Sequence, residues 1–240
     1  MSKINRILRR LIKFFGSLRL ALGSLLFVGL LLALGSLFFF GWLATEMLDG
    51  DTRRFDETVR NFVHGFASPA LTSVMQAASF LGSTLFLVIF GVSIVVALYL
   101  RKHRRGAILF TATTVGSSVL LTALKFAFKR VRPEPFFETI LPASYSFPSG
   151  HSLASFCFYG ALATILTTRI KSFRLKIIVW MAAAAMILLV GISRIYLGVH
   201  YPSDVVAGYA VGLIWVMTIA VGDKLIHAKD KSIEEPSIEK

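Results

Sequence analysis

The chain has 240 residues, 55% hydrophobic and 16% charged, with 26 Lys or Arg against 13 Asp or Glu. The apolar share exceeds the roughly 45–50% of soluble domains and the charged share falls below their roughly 25%, which excludes both a soluble core and a disordered chain. The net charge of +13 does not mark a nucleic-acid binder, because a basic patch on a soluble domain does not come with a mean hydropathy of +0.72.

What remains is an all-α, polytopic membrane protein forming a single membrane domain over 1–240. Residues 1–19 form a basic N-terminal segment, and 20–45 is the first predicted span. A secretory signal is disfavoured, since its apolar region runs to about 7–15 residues and Thr45-Glu46-Met47 offers no small-residue cleavage site. Residues 53–67 place Phe55, Val59, Phe62, Val63 and Phe66 at helical spacing with charges between, which predicts an amphipathic helix at the membrane interface or a lid over a site. Ser68-Pro69 reads as a break. Further spans follow over 76–100, 106–128, 152–168, 177–194 and 203–222, each near the ~20 residues needed to cross the hydrocarbon layer. Residues 223–240 form a tail. The single cysteine, Cys157, allows no internal disulfide.

Six spans set both termini on one side, and the basic residues select which. Segments 1–19, 101–105, 169–176 and 223–240 hold 18 of the Lys and Arg residues, and the opposite loops hold 8. The positive-inside rule then predicts cytoplasmic termini in a plasma or inner membrane.

Charged groups bordering hydrocarbon are costly and mark a polar cavity or the bundle interior. Here they gather on the loops predicted to face outward. Lys125 and Arg132 lie seven residues apart, so on one helix they would point the same way, and Pro133 would stop that helix. Ordinary snorkelling explains this stretch alone equally well. Ser149 suits an N-cap, Gly150 permits close approach to the backbone, and the first helical turn, where His151 stands, suits an anion. Pro202 suits the first position of the last span, from which Asp204 reaches back to His200. A carboxylate on one ring nitrogen fixes the tautomer and makes the other a better base or nucleophile. Arg194 ends the fifth span. Two histidines and an aspartate could bind zinc, but three nearby cations would repel it, so no metal is expected. Together the three cations suit a phosphate ester, with one histidine attacking and the other protonating the departing oxygen. Ser144, between the first two clusters, reads as a loop position away from the chemistry.

Lys125-x6-Arg132-Pro133, Pro148-Ser149-Gly150-His151 and Ser193-Arg194-x5-His200-x3-Asp204 together resemble the three-part signature of the type 2 phosphatidic acid phosphatase superfamily. The resemblance covers about 76–222. It implies a membrane-bound, metal-independent phosphatase without a cofactor, acting on lipid phosphates or diphosphates such as phosphatidic acid, phosphatidylglycerophosphate or undecaprenyl diphosphate. It implies His200 as the nucleophile that becomes phosphohistidine, Asp204 as its support and His151 as the acid for the leaving group. Lys125, Arg132, Ser149, Gly150 and Arg194 would hold the phosphate. The expected partners are the lipid substrate and the bilayer, with no nucleic acid, and the active site is expected outside the cytoplasm. The family's soluble vanadate-dependent haloperoxidases are disfavoured by the six spans. A rival from another class is a non-catalytic phospholipid-binding transporter or scramblase; it would need the cations but not His200 backed by Asp204 with His151 opposite. The Gly208-x3-Gly212 pair suits either dimerisation or packing within the bundle.

Overall fold

The computed structural model describes residues 27–138 and 144–234, with side chains to residue 226. The basic segment 1–19 and the first residues of the first predicted span lie outside the described residues. The elements are α1 (Phe27–Asp49), α2 (Thr52–His64), α3 (Pro69–Leu81), α4 (Thr84–Leu100), α5 (Arg104–Phe128), α6 (Gly150–Thr167), α7 (Phe173–Tyr196) and α8 (Pro202–Glu234). Among the described residues there is no strand.

Among the described residues, four helices, α1, α5, α7 and α8, are long and apolar enough to cross a membrane, and α3 with α4 adds a fifth crossing if that bent pair is one span. With Phe38, Leu85, Ile108, Val119 and Met181 all exposed on helix surfaces, the bundle presents an apolar exterior suited to lipid, and the protein is multi-pass. The helix expected over 76–100 is in fact two helices, bent by 47° at a break after Leu81. Gly82 supplies the reason. A Cβ there would lie 2.3 Å from the Val190 side chain and 3.3 Å from the His151 ring, so only glycine lets the break press against α7 and α6. Ser83 then caps α4 by accepting from the Phe86 amide.

Helix α6 is the enclosed member of the bundle. It buries Leu153, Cys157, Phe158 and Ala163 together with the polar Ser152 and Ser155. Glycines of α8 meet it closely: a Cβ on Gly208 would stand 2.8 Å from the Ser149 carbonyl oxygen, and one on Gly212 would stand 2.9 Å from the Phe156 ring. The Gly208–Gly212 pair is therefore used inside the bundle. Successive antiparallel helices bring the C-terminal ends of α5 and α7 and the N-terminal ends of α6 and α8 to one end. At the opposite end Arg105 grips Asp223 through two hydrogen bonds of 3.0 and 2.5 Å.

Helix α2 departs from the amphipathic expectation in a way that matters for the site. Phe55, Phe62 and Phe66 are exposed, as an interface helix requires, but the inward face is polar: Thr52, Asp56 and Arg60, spaced by four, are buried. Two of its charges, Asp56 and Arg60, belong to the interior, while Arg53 and Arg54 stay exposed.

Candidate active site

The segment before α6 is anchored by Phe147. Its fully buried ring stacks on Phe40 of α1 at 5.7 Å and meets Phe128 of α5 edge-on at 5.1 Å. This fixes the chain where it enters α6. Ser149 is the N-cap, its hydroxyl accepting from the Ser152 amide, while its own amide donates to the Asp204 carbonyl at 2.9 Å and so ties α6 to α8. Gly150 opens the helix, and a Cβ there would stand 2.9 Å from Leu121 of α5.

The first cluster is built differently from the single helix face expected. Helix α5 ends at Phe128, because Lys129 adopts a left-handed conformation (φ 48°, ψ 32°) and closes the helix by donating to the Lys125 carbonyl at 3.0 Å. Lys125 is thus in the last turn, whereas Arg132 stands on the following extended segment, stopped short of any helix. The two are reunited by the Tyr145 carbonyl, which accepts from Lys125 Nζ and from Arg132 at 3.4 Å. Arg132 also donates to the Ser144 carbonyl at 2.8 Å, the Ser144 hydroxyl at 3.1 Å and the Val199 carbonyl at 3.0 Å. Ser144 is accordingly part of the site's framework, contrary to its reading as a remote loop position.

His200 lies in the α7–α8 turn, buried between two partners. Nδ1 is 3.2 Å from Asp204 Oδ2, and Nε2 is 3.0 Å from an Arg132 guanidinium nitrogen. An arginine only donates, so Nε2 accepts and carries no proton; the ring proton sits on Nδ1 and points at Asp204. Burial pushes His200 down to about 4, with Arg132 and Arg194 adding to the depression and Asp204 opposing it. At neutral pH the ring is uncharged, with the Nε2 lone pair unprotonated and turned to Arg132.

Asp204 is fully buried and saturated with donors. Oδ2 accepts from His200, the Ser146 hydroxyl and the Tyr201 amide (3.0 Å), and Oδ1 accepts from Arg130 at 2.6 Å. Arg194, nine-tenths buried at the end of α7, is held by the Ser79 hydroxyl of α3, and its Nε has no partner among the described residues. His151 stands in the first turn of α6 against Gly82, in the field of Arg194, His200, Arg132 and Lys125. The structure therefore brings His151, His200, Asp204, Lys125, Arg132 and Arg194 to one end of the bundle, with Ser149 and Gly150 as the helix entry beside them. A cavity of about 420 Å³ adjoins Arg132 and is also lined by Glu57, Arg60, Asn61, Glu134 and Tyr201.

Sequence reasoning missed Arg130, Asp56, Ser146, Ser203 and Ser79. Arg130 bridges Asp204 and Asp56, and burial, which opposes its charge, is outweighed by the two carboxylates, so its pKa is raised. Polar spacing by four on the inner face of α2 is the signal that would have found Asp56.

A helical membrane bundle whose end gathers three cations around a carboxylate-oriented histidine defines a site of the phosphoryl-transfer class. The chain belongs to the PAP2 superfamily, whose model matches residues 105–224, half the chain. It is 32% identical over 172 residues to phosphatidylglycerophosphatase B of Bacillus subtilis, covering 71% of this chain and 84% of that protein. It is 32% identical over 129 residues to undecaprenyl-diphosphatase of Sulfolobus acidocaldarius, spanning 52% of this chain and 58% of the relative. The crystal structure of a transmembrane PAP2-type phosphatidylglycerolphosphate phosphatase from Bacillus subtilis superposes with a TM-score of 0.74 at 30% identity, covering 81% of this chain and 96% of that one. The chain is a membrane phosphatase of this superfamily.

Proposed function

We propose that the protein hydrolyses lipid phosphates or diphosphates through a phosphohistidine on His200, without a metal, on the outer face of the membrane. The observation that carries this reading is the His200 ring itself: its proton is directed at Asp204 and its Nε2 lone pair at the cation Arg132. A phosphate entering between Nε2 and Arg132 receives the guanidinium on its oxygens and the lone pair at phosphorus. The Nε2–P bond forms as the bond from phosphorus to the lipid oxygen breaks, and His151 gives that oxygen its proton. Water then attacks the phosphohistidine, returning the lone pair to Nε2 and a proton to His151. Lys125, Arg132 and Arg194 balance the equatorial oxygens, and the α6 N-terminus beyond Ser149, whose own amide is taken by the Asp204 carbonyl, adds the first-turn amides from Gly150 onward.

The six-span arrangement is part of this reading, with α3 and α4 as one bent crossing and α6 as the enclosed one. The basic asymmetry of 18 against 8 supports cytoplasmic termini, which puts the site end outside and directs the enzyme to outer-leaflet lipids. Relatives named phosphatidylglycerophosphatase and undecaprenyl-diphosphatase support a lipid mono- or diphosphate as substrate. The test is phosphate release by purified protein in detergent from phosphatidic acid, phosphatidylglycerophosphate and undecaprenyl diphosphate, with EDTA present. Turnover of at least one is expected; turnover that EDTA abolishes contradicts the metal-independent mechanism.

A further inference from the structure

The buried Asp56 of α2 takes no part in the proposed chemistry, and burying a carboxylate is costly unless its partners are excellent. Its partners point in one direction. Oδ1 accepts from the Ser203 amide at 2.9 Å, a free N–H of the first turn of α8, and Oδ2 accepts from the Ser203 hydroxyl at 2.7 Å. Asp56 therefore caps the helix that bears Asp204, from a segment almost 150 residues away in sequence. Oδ2 also accepts from Arg130 at 2.8 Å. The other arm of that guanidinium reaches Asp204 Oδ1 at 2.6 Å and the Ser203 hydroxyl at 2.8 Å, and the group lies 4.1 Å over the Tyr201 ring. Both terminal nitrogens of Arg130 are thus engaged within the protein, Thr52 taking a further bond at 3.3 Å. Arg130 sits on the side of Asp204 opposite His200, so it is not placed to hold the substrate phosphate.

We propose that Asp56 and Arg130 are positioning residues for the nucleophile: Asp56 seats the first turn of α8 and one arm of Arg130, Arg130 fixes the Asp204 carboxylate, and Asp204 fixes the proton on His200 Nδ1. Helix α2 is then a working part of the active site, neither a lid nor only an anchor. A planar two-armed cation is required, since lysine is a point charge that does not span two carboxylates in this geometry. The inference rests on the phosphohistidine reading, and its test separates the two.

The variants are Asp56→Asn, Arg130→Lys, Asp204→Asn and the doubles of each of the first two with the third. They are assayed on dioctanoyl phosphatidic acid and on farnesyl diphosphate in detergent, with thermal unfolding as a control and His200→Ala as the reference. Asp56→Asn and Arg130→Lys should each lower kcat about ten- to a hundredfold, as loss of a supporting partner commonly does, with KM within about twofold. Each double should be no slower than Asp204→Asn alone, because residues acting through one group are non-additive. Losses that multiply in the doubles, or that track a lowered unfolding temperature, overturn the proposal and leave a structural role. Activity surviving in folded His200→Ala overturns the phosphohistidine reading instead. A readout independent of turnover is the ring ¹⁵N spectrum of His200, assigned by its loss in His200→Ala. The wild type should show the Nδ1–H tautomer, and Asp56→Asn should show a mixture. An unchanged spectrum in Asp56→Asn refutes the proposal whatever the activity.

Discussion

Replacing Asp204 by asparagine tests the site through a change of one atom. The Asp204 carboxylate faces four donors and no acceptor: Arg130 on Oδ1, and Ser146, the Tyr201 amide and His200 on Oδ2. An amide has one accepting oxygen and one donating nitrogen, so Asp204→Asn sets N–H against N–H wherever it turns. With the nitrogen toward Arg130, a buried cation loses one of its two anions. With the nitrogen toward His200, the ring must offer Nδ1 as acceptor, which moves the proton to Nε2, against Arg132 and onto the attacking atom. The second orientation removes the nucleophilic lone pair. An orienting carboxylate changed to amide costs on the order of 10⁴ in kcat where it controls a histidine tautomer, and one unsatisfied buried group costs about 1–3 kcal/mol of stability. The expected outcome is a kcat loss of about 10³–10⁴ with a modest fall in unfolding temperature, still milder than His200→Ala, which removes the nucleophile altogether. The assay is initial-rate phosphate release on a lipid phosphate beside detergent-phase thermal unfolding. A folded Asp204→Asn enzyme within tenfold of wild type would refute the tautomer argument.

The pH dependence follows from His200, which must be unprotonated to attack. With the ring held down to about 4 by burial, the acidic limb of kcat/KM should fall near pH 4, and a midpoint near the ordinary histidine value of about 6.5 would contradict it. His151→Ala should cost far more on a lipid phosphate than on an aryl phosphate, whose leaving group needs no proton; equal losses would make His151 a binding or packing residue. For sidedness, Ala67→Cys in a Cys157→Ala background puts a thiol on the exposed turn between α2 and α3, at the site end. A membrane-impermeant thiol reagent should label it in intact cells, and labelling only after lysis would reverse the orientation.

The helical class and the site residues at helix ends were legible because charge is rare in an apolar chain and each exception stands out. The Ser149 cap and the Pro202 start of α8 needed only local rules. What escaped were features that depend on distant partners. Lys125 and Arg132 look like one helical face until the left-handed Lys129 ends α5, a backbone choice that no residue type there announces. The break at Gly82 reflects crowding by Val190 and His151 from other helices. Helix α2 misled most, since alternating Phe and charge reads as lipid on one side and water on the other. Its buried Asp56 instead meets Arg130 and Ser203, and only the fold supplies those partners.

The central claim is a covalent bond between phosphorus and His200 Nε2. Rapid mixing of the purified enzyme with lipid substrate carrying ³²P in its terminal phosphate, quenched in alkali to preserve phosphohistidine, tests it most directly. Label should appear on the peptide containing His200 within a single turnover, disappear on acid treatment and be absent from His200→Ala. Full turnover with no label on that peptide, or comparable hydrolysis by folded His200→Ala, would contradict the mechanism.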